Sequence, residues 1–293
     1  MSDTQPLIIN LAPTGMIPTK ERTPHVPVTT EEILEDVRRC RELGAAIVHV
    51  HARGADEHPT HEKEAFAPIV SGIREIDPEL IVCVSCSGRY VSDLERRSEV
   101  LELDGSAKPD MASLTLGSNN FRTQASSNSP EIIEGLATKM LERGIRPELE
   151  AFEPGMVSAG TRLLERGLLD ERCFINLFLG NPGTSPLSAA SLAAFQALLP
   201  AGWVWSIGGI GKFQLQANTL AIALGGHVRV GLEDNIWFDA ERTELATNAA
   251  LAARIAEIAR QHGRPVATPR EAREMLGLGA AVQRHGTSAA APG

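Results

Sequence analysis

Tyrosine occurs once in this chain of 293 residues, tryptophan three times, and all aromatics together make up 4%. A core with so few rings must be filled by Ala, Val, Ile and Leu, the residues that let helices lie close on a sheet, and a hydrophobic content of 43% supplies them. Basic clusters are also missing: 28 Lys and Arg stand against 37 Asp and Glu, for a net charge of −9. That disfavours nucleic acid and anionic membranes, which are held by grouped cations. No apolar stretch is long enough to span a bilayer. The opening Met1-Ser2-Asp3-Thr4-Gln5 lacks the positive region of a secretion signal, so a cytoplasmic protein is expected. The four cysteines, Cys40, Cys83, Cys86 and Cys173, are scattered through a chain large enough to fold without disulfides. Cys83 and Cys86 fall three apart on a predicted strand, point to opposite faces, and read as small core residues rather than as a metal pair.

What the chain does have is alternation. Short β-branched runs near 7–12, 46–51, 80–85, 111–115, 148–152, 174–179, 203–207 and 227–230 are separated by amphipathic helical stretches. Eight such units predict parallel strands joined by crossover helices, closed as a single (β/α)8 barrel over residues 1–278. Thr29-x-x-Glu32 reads as a capping box ahead of Ile33, Leu34, Val37 and Cys40. Ser129-Pro130 opens another helix, which Gly144 closes. A last helix after Thr268-Pro269 is extra to a minimal barrel. It is expected to pack at a subunit interface or across the barrel floor. Residues 279–293, rich in Ala, Gly and Ser, read as a flexible tail.

The second strand, Ala46-Ala-Ile-Val-His-Val-His-Ala-Arg53, puts His49 and His51 on one face because strand side chains alternate. Facing inward at the C-terminal end of a barrel strand, they are placed for a metal, although a hydrogen-bonded core pair has the same pattern. The segment Gly225-Gly-His-Val-Arg-Val-Gly-Leu-Glu-Asp-Asn235 follows the eighth strand, which lies beside the first in a closed barrel. Glu233 from it completes a two-His, one-carboxylate set with open positions, as catalytic zinc sites have; a solvated acidic turn is the alternative. Asp234 beside Arg229 reads either as an oriented base or as a plain ion pair. Glu148 and Glu150 share a face of the fifth strand and need cations to answer them, Arg53 or Arg229. Gly209, Gly211 and Lys212, before a helix, suit a phosphate or a tight turn.

Taken together, His49-x-His51-x-Arg53, Gly208-Gly-Ile-Gly211 and Gly226-His-x-Arg-x-Gly-x-Glu-Asp-Asn235 resemble the beta-keto acid cleavage enzymes. The founding member of that family cleaves 3-keto-5-aminohexanoate. The likeness runs through Ala12-Pro-Thr-Gly15, Met111-Ala-Ser-Leu, Glu150-x-x-Glu153-x-Gly-Met156 and Arg264-Pro-x-Ala-Thr-Pro-x-Glu-Ala-Arg273, nearly the whole chain. It implies a zinc-dependent barrel, usually a homotetramer, that condenses a β-keto acid with acetyl-CoA to give acetoacetate and a new acyl-CoA. It also implies metal ligands at His49, His51 and Glu233, a catalytic pair at Arg229 and Asp234, and a carboxylate-binding serine at Ser85. Gly88 backbone lies near Ser85, and Thr115, ending the fourth strand, is a second candidate for that carboxylate; either Ser85 or Thr115 could instead be a polar strand end.

Two positions depart from the founding member. Ile17 stands where it has a glutamate for the substrate's amino group, so 3-keto-5-aminohexanoate is not the expected substrate. Arg89 replaces a small residue and either meets a distal group of the substrate or pairs with Asp93 or Glu95. The competing classes are an amidohydrolase-like barrel, a metal-dependent aldolase and a non-enzymatic scaffold. The first normally takes ligands from strands five and six, which carry no histidine here. The second differs in not requiring acetyl-CoA. The third leaves the inward histidines without a role.

Overall fold

Eight parallel strands close into a barrel in the computed structural model, which describes residues 5–54, 56–122 and 124–279. They are β1 (Ile9–Leu11), β2 (Ala45–Val50), β3 (Ile81–Val84), β4 (Met111–Thr115), β5 (Arg146–Ala151), β6 (Phe174–Leu179), β7 (Val204–Gly209) and β8 (His227–Val230). Each pairs with its neighbours in chain order, and β8 closes on β1 with Asn10 opposite Arg229. The helices α1 (Thr30–Glu42), α2 (Lys63–Ile76), α3 (Leu94–Ser98), α4 (Pro130–Arg143), α5 (Pro154–Glu165), α6 (Ala189–Gln196), α7 (Gln214–Ala223) and α8 (Asn248–Gln261) follow the strands of the same number. This is the (β/α)8 barrel that the alternation predicts. Its start and stop signals act as read: Thr29 and Glu32 bond reciprocally at α1, Ser129 caps α4, and Gly144 ends α4 at φ 63°. Of the expected flexible tail, residues 280–293 lie outside the described residues. Among the described residues no helix is long and apolar enough to cross a membrane.

The extra helix, α9 (Pro269–Leu276), covers the barrel floor. Ala272 and Leu276 join a cluster with Ile8, Ile47, Ile81 and Phe174 from four different strands. Arg273 reaches under the sheet, donating to the Glu79 carbonyl at 2.8 Å and to Asp110 at 2.6 Å, while Arg74 takes the other Asp110 oxygen at 2.5 Å. All three side chains are buried. Removing Arg273 leaves Asp110 paired with Arg74 but takes the donor from the buried Asp110 Oδ1 and from the Glu79 carbonyl, so Arg273→Ala is expected to cost about 3 kcal/mol. A thermal melt should fall by roughly 6–12 °C at that cost. A melt within 2 °C of the parent would show that α9 is only a loose cover.

The barrel interior departs from the usual Val, Ile and Leu layers. Asn10 on β1 donates to Glu148 on β5 at 2.6 Å, across the barrel, and both are fully buried together with Asn176 and Ser206. Ser206 hydrogen-bonds Asn176 on the next strand. This polar stack is the floor on which the site stands.

Candidate metal and substrate site

His49 lies near the end of β2 and His51 just beyond it, so their rings face the same interior, with Nε2 atoms 3.2 Å apart. Glu233, on the loop after β8, brings Oε1 to 3.3 Å from His51 Nε2 and 4.0 Å from His49 Nε2. The turn carrying Glu233 needs a close approach from the β1 loop: Gly15 sits at φ 63°, and a Cβ there would lie 2.4 Å from Glu233 Cγ. Glycine satisfies both demands at that point.

These three residues fit a divalent cation. The second carboxylate oxygen of Glu233 is buried with no hydrogen-bond partner, an expensive arrangement for a charged acceptor unless a cation answers it. Burial holds His51 at a pKa of about 4, so it is neutral and can offer a lone pair. His49 is anchored from behind, its Nδ1 lying 2.5 Å from Glu148, which leaves Nε2 towards His51. Burial and Arg229 oppose protonation of His49, but the Glu148 and Glu233 carboxylates outweigh them and raise its pKa. Two imidazoles and a carboxylate at one point are the donor set of catalytic zinc.

A second group of three, His49, Cys83 and Glu148, is also close enough to hold an ion. Its donors are already committed to one another, with Cys83 Sγ 3.1 Å from the same Glu148 oxygen that meets His49. It is a scaffold behind the site. Cys83 is thus more than the core residue its spacing suggests: it faces the polar interior, whereas Cys86 points the other way into the apolar core.

Arg229, fully buried, joins the carboxylates. Its Nη2 lies 2.6 Å from Glu233, its Nε 3.1 Å from Asp234, and its Nη1 3.9 Å from both Glu148 and Glu150. Arg53, the other cation considered for the β5 carboxylates, instead donates to the carbonyls of Gly15, Pro18 and Glu57 and holds the β1 loop. The pairing of Asp234 with Arg229 suggests a weakened base. Burial, however, outweighs the cation and, with Glu233 alongside, lifts Asp234 above the ordinary carboxylate range.

The site opens into a cavity of about 720 Å³ at the C-terminal end of the barrel, where enzymes of this fold place their chemistry. Ser85, Thr115, Arg89, Ile17, Gly211 and Lys212 line it with the histidines, Arg229, Glu233 and Asp234. Thr115 donates to Glu150 at 2.6 Å. Gly88 and Gly209 are not in its wall. A Cβ on Gly88 would lie 2.6 Å from the Ser127 carbonyl, and one on Gly209 would lie 2.6 Å from the Gln214 Cα, so both are glycines for packing. The Gly211 amide is spent on the Asp234 carbonyl at 2.8 Å, which leaves Lys212 as the polar group of that turn free to face a phosphate. Arg89 makes no ion pair with Asp93 or Glu95: Asp93 caps α3 and Glu95 meets Lys139. Several wall residues carry no signal in the sequence, among them Asn119 and Phe121 on a hairpin after β4 that strand periodicity does not reveal.

A closed barrel with histidines, carboxylates and an arginine gathered beneath a cavity at its C-terminal mouth is the architecture of an enzyme. The chain belongs to the beta-keto acid cleavage enzyme family, whose model matches residues 6–278. A 3-oxoadipate:acetyl-CoA acetyltransferase of Cupriavidus necator is 38% identical over 279 residues, covering 94% of this chain and 96% of its own. A 3-keto-5-aminohexanoate cleavage enzyme of Fusobacterium nucleatum is 36% identical over 274 residues, 93% of this chain and 98% of its own. Among solved structures, a binary complex of ObcA with oxaloacetate shares the fold at a TM-score of 0.77 and 22% identity, covering 89% of this chain and 69% of the other. As a member of this family the protein is a carbon–carbon bond-cleaving enzyme, and the Cupriavidus necator relative is named for acetyl transfer involving acetyl-CoA.

Proposed function

We propose that the protein cleaves a β-keto acid at the expense of acetyl-CoA, releasing acetoacetate and an acyl-CoA, with a divalent ion held by His49, His51 and Glu233. Zinc is the ion this donor set favours. The observation that carries the reading is the pair of Nε2 atoms 3.2 Å apart beside a buried, unpartnered Glu233 oxygen at the cavity wall. When bound, such an ion supplies positive charge at the substrate's keto and carboxylate oxygens, which lowers the cost of forming an enolate. Asp234 takes the proton from the carbon between those two groups, its basicity raised by burial. Arg229 orients Asp234 through Nε and remains cationic throughout, its own pKa raised well above the ordinary value by the surrounding carboxylates against the effect of burial. Ser85 offers its hydroxyl to the substrate carboxylate, whereas the Thr115 proton is already given to Glu150.

The new carbon–carbon bond forms between the enolate carbon and the acetyl carbonyl of the thioester. Coenzyme A then takes over the substrate's own acyl group, and cleavage of the old bond leaves acetoacetate, which contains the acetyl unit and the substrate's CH₂–COO⁻. Exposed Arg22, Arg122, Lys212 and Arg242 ring the mouth, where the phosphates of the coenzyme would be met by opposite charge.

A panel of β-keto acids tests this directly. At least one should yield acetoacetate only when acetyl-CoA is present, with activity lost on chelation and restored by added Zn²⁺. Cleavage that proceeds without acetyl-CoA would identify an aldolase, and activity indifferent to chelation would remove the ion. Within the panel, 3-keto-5-aminohexanoate should be turned over at least about 10²-fold less efficiently than the best acid, because its ammonium has no counter-charge at Ile17. Comparable kcat/KM values for the two would show that another group answers the ammonium.

A further inference from the structure

Most buried guanidiniums of the described residues have at least one side-chain acceptor or carbonyl, although Arg74 Nε and Arg229 Nη1 stay unpaired. Arg53 and Arg97 donate to backbone carbonyls, Arg74 and Arg273 share Asp110, and Arg229 meets carboxylates. Arg89 differs. It lines the cavity half-buried, and among the described residues nothing accepts a hydrogen bond from its side chain; its Nε is enclosed with no partner. What holds it in place is apolar: the guanidinium carbon lies over the Phe121 ring, 3.6 Å from the centroid, a contact that uses none of its N–H groups. The backbone on either side is tied down, with the Arg89 amide on Ser87 Oγ at 3.3 Å and its carbonyl accepting from Gln124 at 3.2 Å.

Asn119, in the same wall and on the same hairpin as Phe121, has the matching defect. It is only 8% exposed, yet neither its Oδ1 nor its Nδ2 has a partner. An orphaned amide and an orphaned guanidinium facing one chamber together leave several donors unanswered, an unfavourable state that a bound acceptor relieves. A planar group with two oxygens fits the guanidinium fork. The arginine also feels the charges of Glu233 and Asp234, so it belongs to the same chamber as the metal group.

We propose that Arg89 and Asn119 form a second anion subsite that takes a carboxylate at the far end of the substrate, making the preferred substrate a dicarboxylic β-keto acid. This rests on the β-keto acid cleavage proposed above and adds the substrate class. A stacked guanidinium also rejects an ammonium at that end, which agrees with the apolar Ile17 in the same cavity.

Two measurements on the metal-loaded protein test it. In the first, kcat/KM is compared for 3-oxoadipate and for 3-oxohexanoate, which has the same chain length but ends in methyl. The parent should favour the dicarboxylate by at least about 10²-fold, and Arg89→Ala should bring the ratio towards one. Asn119→Ala should lower it by roughly 3–10-fold, the loss of one neutral donor. A ratio near one in the parent, or one that survives Arg89→Ala, overturns the subsite. The second measurement needs no turnover: calorimetric binding of adipate against hexanoate. Adipate should bind at least 10-fold more tightly to the parent, and that preference should vanish in Arg89→Ala. If neither keto acid is cleaved but the adipate preference behaves in this way, the reaction assignment fails while the subsite stands. Equal binding of the two acids refutes the subsite whatever the turnover.

Discussion

Arg229→Met is expected to lower turnover by on the order of 10³-fold while leaving the bound metal in place. The two halves of that result separate a chemical role from a structural one. Arg229 is the nearest fixed cation to four carboxylates: it touches Glu233 and Asp234 and stands 3.9 Å from Glu148 and Glu150. Taking it away leaves those charges uncompensated inside the barrel, which should cost about 3–5 kcal/mol in the metal-free protein. A cation bound at Glu233 supplies part of the missing charge. The melting temperature of the variant should therefore rise more on adding Zn²⁺ than that of the parent. Because Arg229 Nη2 occupies Glu233 Oε1 at 2.6 Å, it also competes for a proposed ligand atom, and metal affinity should be equal or tighter without it. Turnover should still collapse, since Asp234 loses the group that aims it. Metal content by elemental analysis, kcat, and melts with and without Zn²⁺ make up the experiment. If metal and activity disappear together, Arg229 acts only by holding the ligand shell, and the pairing of Asp234 with Arg229 as an oriented base falls.

How much of this was legible in the sequence depends on the range of the interaction. The barrel follows from local rules: eight β-branched runs, helix caps such as Thr29 and Ser129, and a stop at Gly144 are signals within a few residues of where they act. His49 and His51 were equally plain, because alternation along one strand decides which way both point. Contacts across the barrel were not. Nothing near Glu148 in the chain says that it faces His49, 99 residues away, or that Asn10 reaches it from 138 residues away. Its position on a strand marked it only as a carboxylate in need of a cation. Arg53 and Arg229 were equal candidates to answer it because period and charge cannot distinguish a side chain that crosses the core from one that turns back to three carbonyls. Gly88 and Gly209 are ambiguous for a related reason. A glycine beside a site can be there for a ligand or for a packed neighbour, and only the position of Arg97, Ser127 or Gln214 decides.

Arg89 shows the opposite case. Spacing allowed it a partner at Asp93 or Glu95, four and six residues on, close enough in the chain to pair charges at a helix start. Asp93 is consumed by the backbone of α3, and Phe121 offers a flat surface on the other side. A loop with no regular period delivers that ring, so the chamber around Arg89 was invisible until the hairpin after β4 was placed.

The crossing contact that sequence missed carries the second large effect. Glu148 is fully buried and accepts from Asn10 Nδ2 at 2.6 Å and Cys83 Sγ at 3.1 Å, while His49 Nδ1 lies 2.5 Å away. A carboxylate in that position keeps the proton on Nδ1 and so directs the Nε2 lone pair of His49 at the proposed ion. In Glu148→Gln the volume is kept, but an amide cannot serve all three neighbours as an acceptor. If its NH₂ faces the ring, Nδ1 must become the acceptor and the proton moves to Nε2, where it blocks ligation. If its oxygen faces the ring, the ring bond keeps its geometry but loses a charged acceptor, and the NH₂ meets Asn10 as a donor unless that amide flips to present its unpartnered Oδ1. Either arrangement should weaken metal binding by about 10–100-fold, read by competition with a chromophoric chelator, with the fold retained. The same residue sets an acid limit for the metal-free protein. Burial raises the pKa of Glu148, but His49, Arg229 and Cys83 outweigh it and hold the group at about 2 against an ordinary 4.5. A carboxylate whose folded pKa is depressed adds stability that is complete above 4.5 and disappears as pH falls towards 2. The parent should therefore lose stability steeply across that window, and Glu148→Gln, with nothing to titrate there, should lose less. Unchanged metal affinity in Glu148→Gln would mean that His49 is aimed by its strand alone, and an unchanged acid profile would place the titrating carboxylate elsewhere.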